Sequence, residues 1–295
     1  MITLFGYPIQ ALMGQLLLGL INGAFYAVLS LGLALIFGLL NIINFAHGAQ
    51  YMMGAFVAWL LLTYAGINFW LSLILAPLAL GLFGMALERL LLRRLYKLDP
   101  LYGLLLTFGL ALIIEGAFRQ AYGVSGQAYQ VPKLLQGGIN LGFMYLPLYR
   151  AAVVVVSLVI CLATWLAIEK TKLGALLRAA TENPALVQAF GVNVPVLVTG
   201  TYGFGAALAG FAGVLAAPVY SVNPLMGSNI IIVVFAVVVI GGMGSILGSV
   251  LTGFGLGLIE GLTKVFYPEA SSTVIFVIMA IVLLLKPAGL FGRTA

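Results

Sequence analysis

Charge is what this chain has least of. Of its 295 residues only 7% are Asp, Glu, Lys or Arg, whereas soluble domains average roughly 25%, and 63% are hydrophobic. That balance excludes an ordinary soluble enzyme and implies a polytopic membrane protein. No stretch is long and polar enough for a separate soluble domain, so a single transmembrane domain over 1–295 is expected. The one cysteine, Cys161, has no thiol partner for a disulfide and sits in an apolar run, where a small buried hydrophobe is expected. The one histidine, His47, belongs to no H-E-x-x-H and no Cys/His spacing, so no metal site is assigned. Neither a Walker-A run nor a G-x-S-x-G elbow occurs. No catalytic residue and no cofactor is therefore assigned to this chain, and any ATP use must come from another. An intramembrane Ser/His hydrolase would have to use Ser245, whose setting G-M-G-S-I-L-G reads as packing. Met1–Gln10 carries no Lys or Arg, so the first apolar run is expected to be a true span, not a cleaved signal.

What is abundant is long apolar runs. A span needs about 20 residues, and candidates lie near 10–38, 48–66, 68–88, 101–121, 148–168, 195–217, 226–241, 246–264 and 272–285. The expected fold is all-α and polytopic, with about eight to nine transmembrane helices, some of them broken. The net charge of +6 does not point to nucleic acid, because nine of the thirteen Lys and Arg form three clusters at span ends. These are Arg89, Arg93, Arg94 and Lys97; then Lys170, Lys172 and Arg178; then Lys286 and Arg293. Placing all three on the cytoplasmic side needs 226–241 to cross fully, and puts the N-terminus outside and the C-terminus inside.

Between two of the runs, about 169–194, the chain leaves the membrane. Glu169, Lys170, Lys172, Arg178 and Glu182 fall within fourteen residues, a density lipid does not tolerate. Leu173, Leu176, Leu177 and Ala180 repeat at helical spacing, with Lys172 and Arg178 off the stripe. Asn183 before Pro184 reads as an N-cap followed by a first-turn proline; Leu186 and Phe190 lie one turn apart, and Gly191 ends the helix. Two short amphipathic helices are predicted. Their apolar face either rests among lipid headgroups or docks a soluble partner.

Polar residues inside the apolar runs mark the remaining candidates. Asn41, Asn44, His47 and Gln50 fall within ten residues, the last three on roughly one helical face. They form either a surface loop or a broken helix lining a pathway, with Gly38 and Gly48 permitting the break. A second interruption runs through Asn223-Pro224. Glu115 with Arg119, and Glu260 with Lys264, have the i,i+4 spacing of structural ion pairs. Gly48, Gly54, Gly241, Gly242 and Gly244 are read as close-packing or helix-breaking positions, and Gly253 with Gly257 as a GxxxG pair.

The ordered set I-N-F-A-H-G-A-Q-Y-M-M-G-A-F (43–56), K-L-G-A-L-L-R-A-A (172–180), A-F-G-V-N (189–193), A-A-L-A-G-F-A-G-V-L (206–215), N-P-L-M-G (223–227), V-I-G-G-M-G-S-I-L-G (239–248) and K-P-A-G-L-F-G-R (286–293) resembles branched-chain amino acid ABC transporter permeases of the LivH type. Urea and short-chain amide permeases share this framework. One departure is Ala49, where family members commonly carry Glu. The resemblance implies a permease of the bacterial cytoplasmic (inner) membrane, bathed in membrane lipid. Its implied partners are a homologous LivM-type permease, two ABC ATPase subunits that bind the ATP and magnesium, and an extracytoplasmic substrate-binding protein. It further implies that Lys172, Leu173, Leu176, Leu177, Arg178, Asn183, Leu186 and Phe190 belong to the ATPase-coupling loop. Asn41, Asn44, His47, Gln50 and Asn223 are then expected to line or support the translocation pathway. A stand-alone channel or secondary transporter is the reading from another class.

Overall fold

The computed structural model describes residues 3–4, 7–40 and 42–292. Its helices follow the apolar runs closely: α1 (Ile9–Leu40), α2 (Ala46–Ala65), α3 (Phe69–Leu90), α4 (Pro100–Tyr122), α5 (Leu148–Lys170), the short α6 (Lys172–Glu182) and α7 (Pro184–Ala189), α8 (Val194–Ala216), α9 (Met226–Gly241), α10 (Ile246–Phe266) and α11 (Val274–Leu285). Among the described residues strands are confined to two small antiparallel pairs, β1 (Thr3–Leu4) with β2 (Tyr7–Pro8) and β3 (Gly138–Asn140) with β4 (Tyr145–Pro147). By length and composition α1, α3, α4, α5, α8 and α10 can each cross a membrane, while α9 and α11 are apolar but shorter. The chain is a multi-pass, all-α membrane protein. One expectation is corrected: α1 continues through Gly38 to Leu40, and Gly48 lies inside α2, so the break falls between them, not at either glycine.

The chain forms two compact units. The first contains residues 1–30, 131–161 and 233–295. In it α1 and α10 meet along small residues. A Cβ added at Gly253 would lie 2.7 Å from Ala27 Cα, and one at Gly23 3.0 Å from Phe254 Cα. Such proximity lets backbone dipoles and van der Waals contact replace the hydrophobic drive that lipid does not supply. The seam also carries polar ties: Ser30 Oγ donates to the Ser249 carbonyl at 3.2 Å and the Tyr26 hydroxyl to Glu260 at 2.8 Å. Glu260 is also paired with Lys264 at 2.6 Å. Ala236, Val237, Ile240, Leu256, Ile275 and Val282 form the apolar core. The turn from α9 to α10 needs Gly242 and Gly244 at φ +101° and +85°. The segment K-P-A-G-L-F-G closes over that turn, with the Leu290 and Phe291 amides donating to the Ile240 and Gly241 carbonyls at 2.8 and 3.2 Å.

The second unit contains residues 31–130 and 162–232, and α8 runs through its centre. A Cβ at Gly54 of α2 would overlap Gly210 of α8, one at Gly205 would come within 2.9 Å of the Gly32 carbonyl oxygen, and one at Gly210 within 2.9 Å of Leu80. α2, α3 and the end of α1 therefore all reach the α8 backbone directly. α2 and α4 run parallel: Phe45 packs on Phe108 near the start of both, and Phe56 on Phe118 and Tyr122 further along.

The close approach at Gly54 generates a test. Gly54→Leu is expected to lower stability in detergent by about 1–3 kcal/mol, the cost of overpacking. Gly116→Leu, on a stretch of α4 with nothing within 4 Å, is expected to be neutral. Thermal unfolding of the purified chain in detergent checks both.

Candidate functional site

A helix that stops inside a membrane protein leaves backbone groups that lipid cannot satisfy. Between α1 and α2 side chains from other helices meet that need. Thr107 Oγ1 on α4 donates to the Ile43 carbonyl at 3.1 Å and accepts from the Phe45 amide at 3.2 Å. Thr107 lies seven residues into α4, about 10 Å along its axis, so the break is packed against the body of α4 and not against its end. Asn44, His47 and Gln50 are fully buried there. Asn44 Nδ2 donates to the Tyr202 hydroxyl of α8 at 3.0 Å. The His47 ring packs on Gly32, where a Cβ would stand 3.0 Å from Cε1. Gln50 is fully buried on the same side, with its side chain beside the Tyr202 hydroxyl. Asn41 lies outside the described residues.

The opposite face of α2 borders a groove of about 410 Å³, including the space at its mouth. Gly48, Ala49 and Met52 form one wall, Phe108, Leu112 and Glu115 of α4 a second, and Pro224, Ser228 and Ile231 at the start of α9 a third. α2 and α9 begin side by side here; a Cβ on Gly48 would lie 2.7 Å from the Gly227 carbonyl oxygen. Asn223 shapes the entry to α9, accepting from the Leu225 amide at 3.0 Å and donating to the Ser221 carbonyl at 2.9 Å. The polar trio thus stands behind the groove wall, holding α2 against α8, while Ala49 lies on the wall itself.

The 169–194 segment forms the two short helices its spacing predicts. Asn183 Oδ1 accepts from the Leu186 amide at 3.0 Å as the N-cap of α7, and Gly191 takes φ +83° after its end. α6 crosses the end of α5 where a Cβ on Gly174 would overlap the Ile168 carbonyl. Arg178 fixes that crossing, reaching the Ile168 carbonyl at 3.1 Å and Glu169 at 3.2 Å. The apolar stripe divides into two faces. Leu177 is buried, and Ala180, Val187 and Val194 pack together as a small core, whereas Leu173, Leu176, Leu186 and Phe190 are exposed, Phe190 at 79%. Leu177 is therefore not part of the exposed apolar surface of this segment. Lys172 remains exposed at the start of α6.

Sequence reasoning missed Glu88. It is fully buried at the end of α3, accepting from Arg93 at 3.2 Å, the Tyr96 hydroxyl at 2.7 Å and the Thr199 hydroxyl at 2.6 Å. Arg93 also donates to the Pro195 carbonyl at 3.2 Å. The network ties α3 to the first turn of α8, directly after the two short helices. Burial, reinforced by the bond to Glu88, pushes the Tyr96 phenol above its ordinary pKa, so it stays a neutral donor. An acidic residue five positions before an arginine, inside a basic cluster at a span end, was the available signal.

Residues 15–283 match the family model described as "Branched-chain amino acid transport system / permease component". The chain is 31% identical over 294 residues to the high-affinity branched-chain amino acid transport system permease protein BraD of Pseudomonas aeruginosa, with 95% of each chain covered. It is 29% identical over 296 residues, again 95% of each chain, to LivH of Escherichia coli. It is 27% identical over 298 residues to LivM of Escherichia coli, covering 91% of this chain and 68% of LivM. No solved structure matches. With nearly its whole length matched in order, the chain belongs to the branched-chain amino acid transport permease family.

Proposed function

We propose that the chain is a permease subunit of an ABC importer of the bacterial inner membrane, carrying branched-chain or related hydrophobic amino acids. The end-to-end match with BraD and LivH carries this reading. The similarity to LivM supports a homologous second permease as its partner. Two ATPase subunits supply the energy and an extracytoplasmic binding protein delivers substrate. All three basic clusters face the cytoplasm, and the C-terminus with them.

The exposed leucines of α6 and α7, together with Phe190, form the ATPase docking face. Displacement of these helices reaches α8 through the packed Ala180, Val187 and Val194, and reaches α3 through the Arg93–Glu88–Thr199 network. α8 in turn holds the α1–α2 break through Tyr202 and Asn44. A shift of α8 would therefore carry α2 with it and change the groove between α2, α4 and α9. Chemistry stays in the ATPases, and this chain converts their closure into movement.

Two outcomes are expected. The double substitution Leu176→Asp, Phe190→Asp places charge on an apolar docking face and should weaken ATPase association by at least about thirty-fold, the loss of a hot spot worth about 2 kcal/mol. Membrane insertion and pairing with the second permease should survive. Leu177→Asp should instead destabilise the folded segment itself. Co-purification of the ATPases distinguishes the two, and unchanged ATPase recovery with the double variant would refute docking there. Filling the groove with Ala49→Phe should lower uptake several-fold while the complex still assembles. Normal uptake by that variant would remove the groove from the pathway.

A further inference from the structure

The groove has apolar walls apart from Ser228 and one ionisable side chain, Glu115. Phe108, Leu112 and Glu115 follow one another at helical spacing on α4, so the carboxylate occupies a position that the stripe would otherwise fill with an apolar residue. A carboxylate in such a setting costs kilocalories unless it is paired. Arg119, one turn further on, pairs with it: Nη2 donates to Oε1 at 2.9 Å. The pair is incompletely enclosed, with the Glu115 side chain 18% and the Arg119 side chain 48% exposed. Among the described residues nothing else bonds to the Glu115 carboxylate, so Oε2 retains its acceptor capacity. One carboxylate with spare acceptor capacity in an otherwise apolar slot is the charge complement of an ammonium group on a ligand with an apolar side chain.

We propose that Glu115 receives the ammonium group of an amino acid in this groove, with Met52, Phe108, Leu112 and Ile231 bordering its apolar side chain. The inference rests on the importer reading and deepens it. A neutral amide offers no ammonium for this carboxylate, so Glu115 selects amino acids over amides of the same size.

The test uses the complete importer in proteoliposomes with its binding protein. Cys161→Ser removes this chain's only thiol, and Ser228→Cys places a reporter in the groove, read on this chain alone. In this parent, leucine should protect the reporter from a thiol reagent, while 4-methylpentanamide, which lacks the ammonium, should not. Glu115→Gln should abolish protection and reduce uptake about tenfold to a hundredfold, the loss of one charge-assisted hydrogen bond, with the complex recovered in parental amounts. Glu115→Asp should retain part of both. The charge swap Glu115→Arg, Arg119→Glu rebuilds the ion pair but puts a cation where the ammonium must bind, so uptake should stay low. Restoration by the swap, or protection unaffected by Glu115→Gln, would make the pair a structural ion pair and overturn the proposal. A parent complex that drives ATP-dependent uptake of an amide but not of leucine would overturn the amino-acid assignment while leaving the importer reading intact. A parent with no ATP-dependent uptake of either would refute both.

Discussion

Backbone amides and carbonyls in a membrane need partners that lipid does not offer, and the stretch between α1 and α2 is where this fold meets that constraint most acutely. Regular hydrogen bonding lapses there for a few residues, well inside the helical assembly. Thr107 from α4 takes over the backbone bonds, and Tyr202 from α8 takes the Asn44 amide. Once those side chains are committed, the neighbouring helices cannot be placed freely. α8 must pass close enough for its glycines to touch α2, and α4 must lie parallel to α2 so that Thr107 reaches the break. The groove lies between those helices and the start of α9, which meets the start of α2 at Gly48 and Gly227. A local defect thus organises the surrounding unit.

The same logic links the end of α3, beside the two short helices, to the break. Glu88 is buried at the end of a span, a costly position for an anion, and it is held by an arginine, a phenol and a threonine hydroxyl together. Removing Arg93 would leave the charge uncompensated, so the arrangement favours moving as a body over deforming. Its Arg93 reaches the first turn of α8, which the two short helices enter directly. A stiff connection is what a subunit requires if force is applied at one end and an opening is needed at another.

The fold was legible in the sequence to a large degree because lipid imposes a one-dimensional rule. Apolar runs bounded by charge or turn residues must be helices, and the nine runs correspond to nine helices within a few residues. Asn183 before Pro184 specified a cap by local chemistry alone, and so did Glu115 with Arg119 as an ion pair. What stayed hidden depended on contacts distant in sequence. Leu177 shares its stripe with Leu173 and Leu176, and only the packing of α6 on its neighbours separates the buried residue from the exposed ones. Glu88 reads as one more charge near a span end until Thr199 arrives from more than a hundred residues away. His47 and Gln50 announced a polar site, yet only the position of α8 shows that they stand behind the groove wall. Glycine density marked close packing without telling which helix each glycine meets.

The central claim is that this chain transmits work done by other subunits and does not transport alone. Affinity purification of the tagged, full-length chain from its native membrane, with mass spectrometry of what accompanies it, tests this most directly. The account predicts a second homologous permease and two ATPase chains in fixed proportion. A lone chain that catalyses uptake after reconstitution, with no ATPase present, would contradict it and make the exposed face of α6 and α7 a lipid-resting surface instead.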